Sequence, residues 1–281
     1  MVSPFTLPPT GFGPGSQPDP EGELQYMPMP SGMRTYAPHI PEADDIAALS
    51  EALAMLAEMA VACEVVAQGA PNVSFDLATL TPAARKVMAD ALGQGEVSMK
   101  IRGLPAVIVQ ESVFAGVWML LAAGLDAGMD SVEIGPVPQL ALGRAHMPHS
   151  PAVGVLAKRV AGLANAPAIL AELVDKSLTR RAGDMAHVVN LSLLPHTPED
   201  LDWLSEALGE GAVTVLSRGY GNCRVTACAQ AHVWKVQFFN SMDTLILDTY
   251  EVCEMPEVAL AASEDLQDSA MRIRDVIEAI R

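Results

Sequence analysis

Apolar positions recur at helical spacing near both ends of the chain, and short alternating runs lie between. Ile46, Leu49, Leu53, Leu56 and Met59 fall every three or four residues, which predicts a helix from Pro41-Glu42 through about Val66 with one apolar face. Glu42, Asp44 and Asp45 suit the positive end of its dipole, and Gly69 and Pro71 end it. Val258, Ala261, Leu266, Ala270, Ile273, Ile277 and Ile280 predict a terminal helix from Pro256 to about Ile280. Alternation predicts strands at 73–77, 97–101, 106–111, 113–121 and 131–134, then at 188–194, 213–217, 224–230, 233–239 and 243–252. Thr81-Pro82 and Thr197-Pro198 each read as a helix cap followed by proline at the first helical position, with Gly93 and Gly209 as stops. Two further helices are expected at 153–164 and 167–177.

The pattern repeats. Ala91-Leu92-Gly93-Gln94-Gly95-Glu96-Val97 precedes Arg102-Gly103 and Trp118, and Ala207-Leu208-Gly209-Glu210-Gly211-Ala212-Val213 precedes Arg218-Gly219 and Trp234. The offset is 116 throughout (207 − 91, 218 − 102, 234 − 118), with no gap from Thr81 to Trp118. A period this long means a duplicated domain. The division expected is a Pro-rich arm at 1–41, a first helix/β-meander repeat at 42–142, a helical linker at 143–186 and a second repeat at 187–281. The fold class is α+β: an internally duplicated unit of capped helix plus antiparallel β-meander. Two antiparallel sheets are expected, each with one of the two long helices packed on it.

What the copies share is read as fold, and what one has alone as a candidate for function. Trp118 and Trp234 are shared, so they are assigned to packing. The hairpins diverge: Arg102-Gly103-Leu104-Pro105-Ala106-Val107 against Arg218-Gly219-Tyr220-Gly221-Asn222-Cys223. Tyr220, Gly221 and Asn222 make a polar, aromatic tip that suits partner contact; a different turn needing Gly and Asn for positive φ is the other reading. Phe238-Phe239-Asn240 replaces Ala122-Ala123-Gly124, and strand alternation turns the two Phe rings apart, one exposed on an edge or buried under the last helix. In the arm, 24–30 and 33–36 carry apolar and aromatic side chains that a spacer does not need. They pack on the protein's own surface or meet a partner. The candidate contact residues are therefore Tyr220, Gly221, Asn222, Cys223, Phe239, Asn240, Tyr26 and Met27.

Charge narrows the classes. With 17 basic and 34 acidic residues the formal net charge is −17, against a nucleic-acid partner or docking on an anionic membrane. An acidic chain attracts basic partners, or is simply soluble. The apolar run at 46–66 is interrupted by Glu51, Glu58 and Glu64, so no membrane insertion is expected, and no secretory signal opens the sequence. Four cysteines, Cys63, Cys223, Cys228 and Cys253, are too sparse for a disulfide framework and imply reduced thiols in the cytoplasm. Cys223 and Cys228, five apart, point to opposite faces of a strand. No His-Glu-x-x-His, zinc spacing, phosphate loop or nucleophile elbow occurs, and His146-x-x-His149 reads as a solvated loop. No enzyme activity, metal or cofactor is expected.

Several stretches resemble the HupH/HyaF family of hydrogenase expression/formation proteins. They are Leu24-Gln25-Tyr26-Met27-Pro28-Met29-Pro30-Ser31-Gly32-Met33-Arg34-Thr35, His187-Val188-Val189-Asn190-Leu191-Ser192-Leu193-Leu194-Pro195, Leu216-Ser217-Arg218-Gly219-Tyr220-Gly221-Asn222-Cys223-Arg224 and Asn240-Ser241-Met242-Asp243-Thr244-Leu245-Ile246-Leu247. The resemblance implies a non-catalytic accessory protein for an uptake nickel–iron hydrogenase, binding the iron–sulfur small-subunit precursor before export. It supplies no catalytic residues. Two alternatives stay open: a scaffold recruiting other maturation factors, and a thiol-based redox factor using Cys223.

Overall fold

Both helix caps form as the sequence requires. In the computed structural model, which describes residues 46–123, 130–218 and 222–280, Thr81 Oγ1 accepts from the N–H of Ala84 to open α2 (Pro82–Leu92), and Thr197 Oγ1 accepts from Asp200 to open α5 (Pro198–Leu208). Gly93 and Gly209 end the two helices at φ 55° and 64°. Two residues on, the N–H groups of Gly95 and Gly211 donate to Glu111 O and Ala227 O, both at 2.8 Å. A side chain there would strike backbone: the Ser112 carbonyl at 95 and the Ala145 carbonyl at 211. The repeated Gly-x-Gly is thus a helix stop followed by a close approach of two chains.

Each helix leads into a meander. β2 (Val97–Ile101), β3 (Ala106–Glu111) and β4 (Val117–Ala123) follow α2, and β7 (Val213–Ser217), β8 (Asn222–Ala227) and β9 (Val233–Phe239) follow α5 at the same offset of 116. β5 (Asp130–Ile134) and β10 (Leu245–Val252) extend the meanders, and β1 (Val73–Asp76) and β6 (His187–Asn190) add to their far sides. The duplication argued from sequence therefore appears as the same topology twice.

There is one sheet where two were expected. Its ten strands run β1-β5-β4-β3-β2-β7-β8-β9-β10-β6, all neighbours antiparallel. The join is β2 against β7, where Met99 faces Val215, its own counterpart in the other copy (99 + 116). Val97 faces Ser217 and Ile101 faces Val213, so a pseudo-twofold axis passes through that pair. Each meander leaves its first strand with an unpaired edge, and the copies satisfy those edges with each other.

One face of the sheet centre buries Met99, Val109, Trp118, Val215, Val225 and Trp234. It is covered by α3 (Gln139–Arg144), through Ala141, and by the stretch carrying Met255 and Ala259. The opposite face carries helices at both wings. α1 (Ile46–Ala67), α2 and α6 (Ser263–Ile280) bury Val117, Val132 and Ile134 in the first half. α4 (Ala166–Thr179) and α5 bury Val189, Val233, Tyr250 and Val252 in the second. The terminal helix accordingly lies in the first half against α1 and does not cover the second half; α4 fills there the place that α1 takes in the first. Arg274 pairs with Glu64 at 2.5 Å, and Arg272 donates to Val113 O at 2.9 Å.

Other boundaries shift for local reasons. α6 starts at Ser263 because Glu257–Ala259 is a 3-10 turn and the Ala261 N–H leaves to Pro136 O. Residues 153–164 form only a 3-10 turn at Gly154–Leu156, with Gly154 and Gly162 at positive φ, and Lys158 O accepts from Trp203 Nε1 at 3.0 Å. This apolar stretch is a strap on α5. β4 starts at Val117, not 113, because Ser112 Oγ caps a turn at Phe114, whose ring is fully buried. Leu191–Leu193 is a 3-10 turn after β6, β8 spans Asn222–Ala227, and β10 begins at Leu245.

α1 is long and apolar enough to cross a membrane by length and composition. Its acidic interruptions are docking points: Glu51 accepts from Thr81 Oγ1 at 2.7 Å, and Glu64 holds Arg274. Ala52, Leu56, Met59 and Cys63 are fully buried along it, as in the core helix of a packed domain.

A carboxyl group near the first-half tryptophan carries a pH prediction. Glu111 faces Trp118 across the strands, and its Oε1 accepts from the Gly116 N–H at 3.1 Å. Burial pushes its carboxyl up to about 7. Between about pH 4.5 and 7 the folded chain holds a proton that the unfolded chain has released, so stability falls as pH rises through that window. The loss should be on the order of 2 kcal/mol, and Glu111→Gln should flatten it. Urea midpoints at both ends of the window test this; equal slopes in wild type and variant would refute it.

Candidate interaction site

The copies differ most where the β7–β8 hairpin meets the turn from β9 to β10. A cavity of about 540 Å³ opens there. Asn222 Nδ2 donates to Asp243 Oδ1 at 3.1 Å, with Asp243 at φ 56°. Asn240 Oδ1 accepts from the N–H groups of Met242 and Thr244, both at 2.9 Å, and so fixes the turn that presents Asp243. The Arg224 guanidinium lies 5.6 Å from the centroid of the Phe239 ring. Leu216, Ser217, Arg218 and Cys223 complete the lining.

Alternation separates the two Phe rings as expected. Phe238 faces Cys223 and packs toward the central cluster; Phe239 faces Asn222 and lines the cavity. Neither lies under the last helix, which is in the other half. The structure thus brings Asn222, Cys223 and Phe239 together, with Asn240 one residue behind. Tyr220, Gly221, Tyr26 and Met27 lie outside the described residues.

Arg224 and Asp243 escaped the sequence reasoning. Arg224 was legible by the same comparison, because its counterpart in the first copy is Ile108 (224 − 116). Asp243 was not, since β10 pairs with β9 two residues out of step with β5 on β4: Trp234 faces Glu251, and Trp118 faces Glu133. The two shared arginines also part company. Each donates its backbone N–H across the central join, Arg102 to Ala212 O and Arg218 to Glu96 O. The Arg102 side chain then pairs with Glu210 at 2.5 Å. At the place equivalent to Glu210 the first copy has neutral Gln94 (210 − 116). Among the described residues no carboxylate lies in ion-pair reach of Arg218 or Arg224.

The thiols are shielded from solvent. All four are free and buried. Burial pushes Cys223 up to about 11, with the Glu251 carboxylate adding, and pushes Cys63, Cys228 and Cys253 up to about 12. At neutral pH they stay protonated and lack the nucleophilic thiolate. Cys223 belongs to the central cluster and Cys228 to the cluster under α4 and α5, so they do occupy opposite faces. Among the described residues no group of three or more His, Cys, Asp or Glu could hold a metal. His146, expected in a solvated loop, is instead seated against Trp234 at 5.2 Å between ring centroids. Its Nδ1 donates to Cys228 O at 2.9 Å. Burial lowers its pKa, which keeps it neutral.

The sequence model of the HupH hydrogenase expression protein, C-terminal conserved region, matches residues 49–147 and 163–280. The chain belongs to this HupH family. The two matched segments run from α1 through α3 and from just before α4 through α6, so each takes in one helix/β-meander copy. The hydrogenase expression/formation protein HupH of Rhodobacter capsulatus is 58% identical over 281 residues, covering 100% of both chains. The hydrogenase-1 operon protein HyaF of Escherichia coli K12 is 32% identical over 209 residues, 73% of this chain and 72% of that one. A solved structure of the hydrogenase expression protein HupH from Thiobacillus denitrificans is 28% identical with a TM-score of 0.37, covering 41% of this chain and 94% of that one.

Proposed function

We propose that this HupH-family chain is a non-catalytic assembly chaperone in the maturation of an uptake nickel–iron hydrogenase. On this reading it works in the cytoplasm and holds the iron–sulfur small-subunit precursor before export. The observation that carries the reading is the family match over both halves, together with relatives named for hydrogenase expression and formation. Buried, protonated thiols support an accessory role over a redox one. The cavity supports contact at the second hairpin: it is the place where the second copy departs from the first, in Asn222, Arg224 and Phe239. Tyr220, which falls between β7 and β8 in the sequence, offers contact area with few rotatable bonds.

The test is titration of the full chain with small-subunit precursor. Wild type should bind at micromolar concentration or tighter. Tyr220→Ala should lose about 2 kcal/mol, roughly thirtyfold in affinity, while circular dichroism shows an intact fold. Full binding by a folded Tyr220→Ala variant would reduce the hairpin to a turn. A wild type that ignores the precursor would sink the chaperone reading and favour a scaffold that recruits other maturation factors.

A further inference from the structure

Between the helix layers of the two wings, the sheet is bare. On the side that carries α1, α2, α4, α5 and α6, two rows of side chains cross the central strands β3, β2, β7 and β8. One runs Ile108, Lys100, Thr214, Thr226, and the other Gln110, Ser98, Leu216, Arg224. The same rows reach Leu121 and Met119 on β4 and Lys235 and Gln237 on β9. Ile108 is 52% exposed, Leu121 55% and Leu216 37%. Lys100 and Arg224 are exposed as well. Nothing among the described residues covers this strip, although helices roof the sheet on both sides of it.

Its charge is opposite to that of the whole protein. The chain has twice as many acidic as basic residues, 34 against 17. The bare strip has Lys100 and Arg224 and no carboxylate. The acidic residues that end the rows are already engaged: Asp130 with Arg85 at 3.9 Å and Asp248 with Lys235 at 3.6 Å. Arg224 is held over Phe239, so one cation stands where the strip runs into the cavity, close to Arg218. Four strands spaced about 4.8 Å apart make a floor roughly 14 Å between its outer strands, and an α-helix with side chains is about 10–12 Å across.

We propose that the bare central face is a docking trough for an acidic amphipathic helix of the partner. Its apolar stripe lies on Ile108, Leu121 and Leu216, and its carboxylates meet Lys100 and Arg224. Apolar contact supplies most of the affinity, and the charges select sign and orientation. An acidic segment is steered away from the rest of this surface and toward the strip, which makes the trough selective. A basic helix would be attracted to the protein at large and repelled from this face. The partner's identity rests on the precursor reading above; the chemistry of the helix rests on the face alone.

The experiment uses the full chain in two titrations. The first uses two helical peptides of equal length with the same leucine stripe, flanked in one by Glu and in the other by Lys. Wild type should bind the Glu peptide, more weakly as salt rises, and Lys100→Glu with Arg224→Glu should bind it at least about tenfold less tightly. Arg159→Glu, on the exposed strap, should bind like wild type. The second titration uses the small-subunit precursor with the same variants, and Lys100→Glu alone serves if the double variant does not fold. Precursor binding that ignores both reversals overturns the trough and leaves the chaperone reading standing. Glu-peptide binding that is lost on reversal, with a wild type that ignores the precursor, keeps the trough and overturns the chaperone reading. A wild type that prefers the Lys peptide, or binds neither, overturns the trough outright.

Discussion

Replacing Asp200 with alanine should destabilise the protein by about 4 kcal/mol, more than any surface change. The side chain is fully buried, and its two oxygens accept four backbone N–H bonds: Ala164 at 2.9 Å, Ala166 at 3.1 Å, Asn165 at 3.3 Å and Thr197 at 3.0 Å. The last of these closes a capping box with Thr197. The other three belong to the start of α4, where Asn165 makes no side-chain cap of its own. One carboxylate therefore caps two helices and ties the strap to the second repeat. Burial pushes its carboxyl up, but the N–H groups of Thr197, Ala166, Ala164 and Asn165 outweigh this and hold it at about 2. Its contribution is present above the ordinary carboxylate pKa near 3.8 and is lost as pH falls toward 2. At neutral pH, Asp200→Ala leaves those donors buried without an acceptor, and the melting temperature should drop by roughly 10 °C. Asp200→Asn should recover only part of the loss, since an amide turns donors toward donors. A denaturant midpoint for Asp200→Ala within 1 kcal/mol of wild type, on the scale of about ±0.5 kcal/mol for neutral sites, would show that water satisfies these groups.

Gly211→Ala should cost about 3 kcal/mol. A Cβ at that position meets the Ala145 and Cys228 carbonyls and the Ala227 methyl, so backbone must yield on two sides. Gly95, its counterpart, meets the Ser112 and Glu111 carbonyls and should behave alike. Gly143→Ala is the control. Nothing lies within 4 Å of a Cβ there, and the residue sits inside α3, so alanine should be neutral or stabilising by up to about 1 kcal/mol. If Gly211→Ala and Gly143→Ala melt together, the close approach is looser than its geometry.

The repeat made much of this fold legible. Caps, stops and the strands β2, β3, β7 and β9 are local matters, set by a threonine, a glycine or a run of alternating residues, and the sequence states them twice. Long-range partners are another matter. Nothing in the pattern of β2 says that it pairs with β7 and not with solvent, because both strands simply alternate. The apolar stripe of α6 says that it is buried, not against what; it lies on α1, more than 200 residues away in the chain. The strap at 153–164 carries helix-like apolar spacing, and two glycines at positive φ and a tryptophan on α5 decide otherwise. At the site, subtraction of one copy from the other found Asn222, Cys223 and Phe239. The same subtraction contains Arg224 against Ile108, but a charged residue on an exposed strand position reads from alternation alone as a solvated face.

The seat of α6 against α1 sets an order of events during synthesis. α1 leaves the ribosome about 200 residues ahead of the helix that completes its cover. At typical rates of translation the interval between residues 67 and 280 is roughly 10–40 s. For that time the apolar stretch of α1 lacks the helix that covers one of its flanks in the folded chain. Glu51, Glu58 and Glu64 ride on it throughout, and Glu64 meets Arg274 only at the end. Those three acids interrupt the apolar run from the start, and two of them serve the folded chain as well. Removing them should show first as loss of yield during expression, before any change in the stability of the protein that does fold.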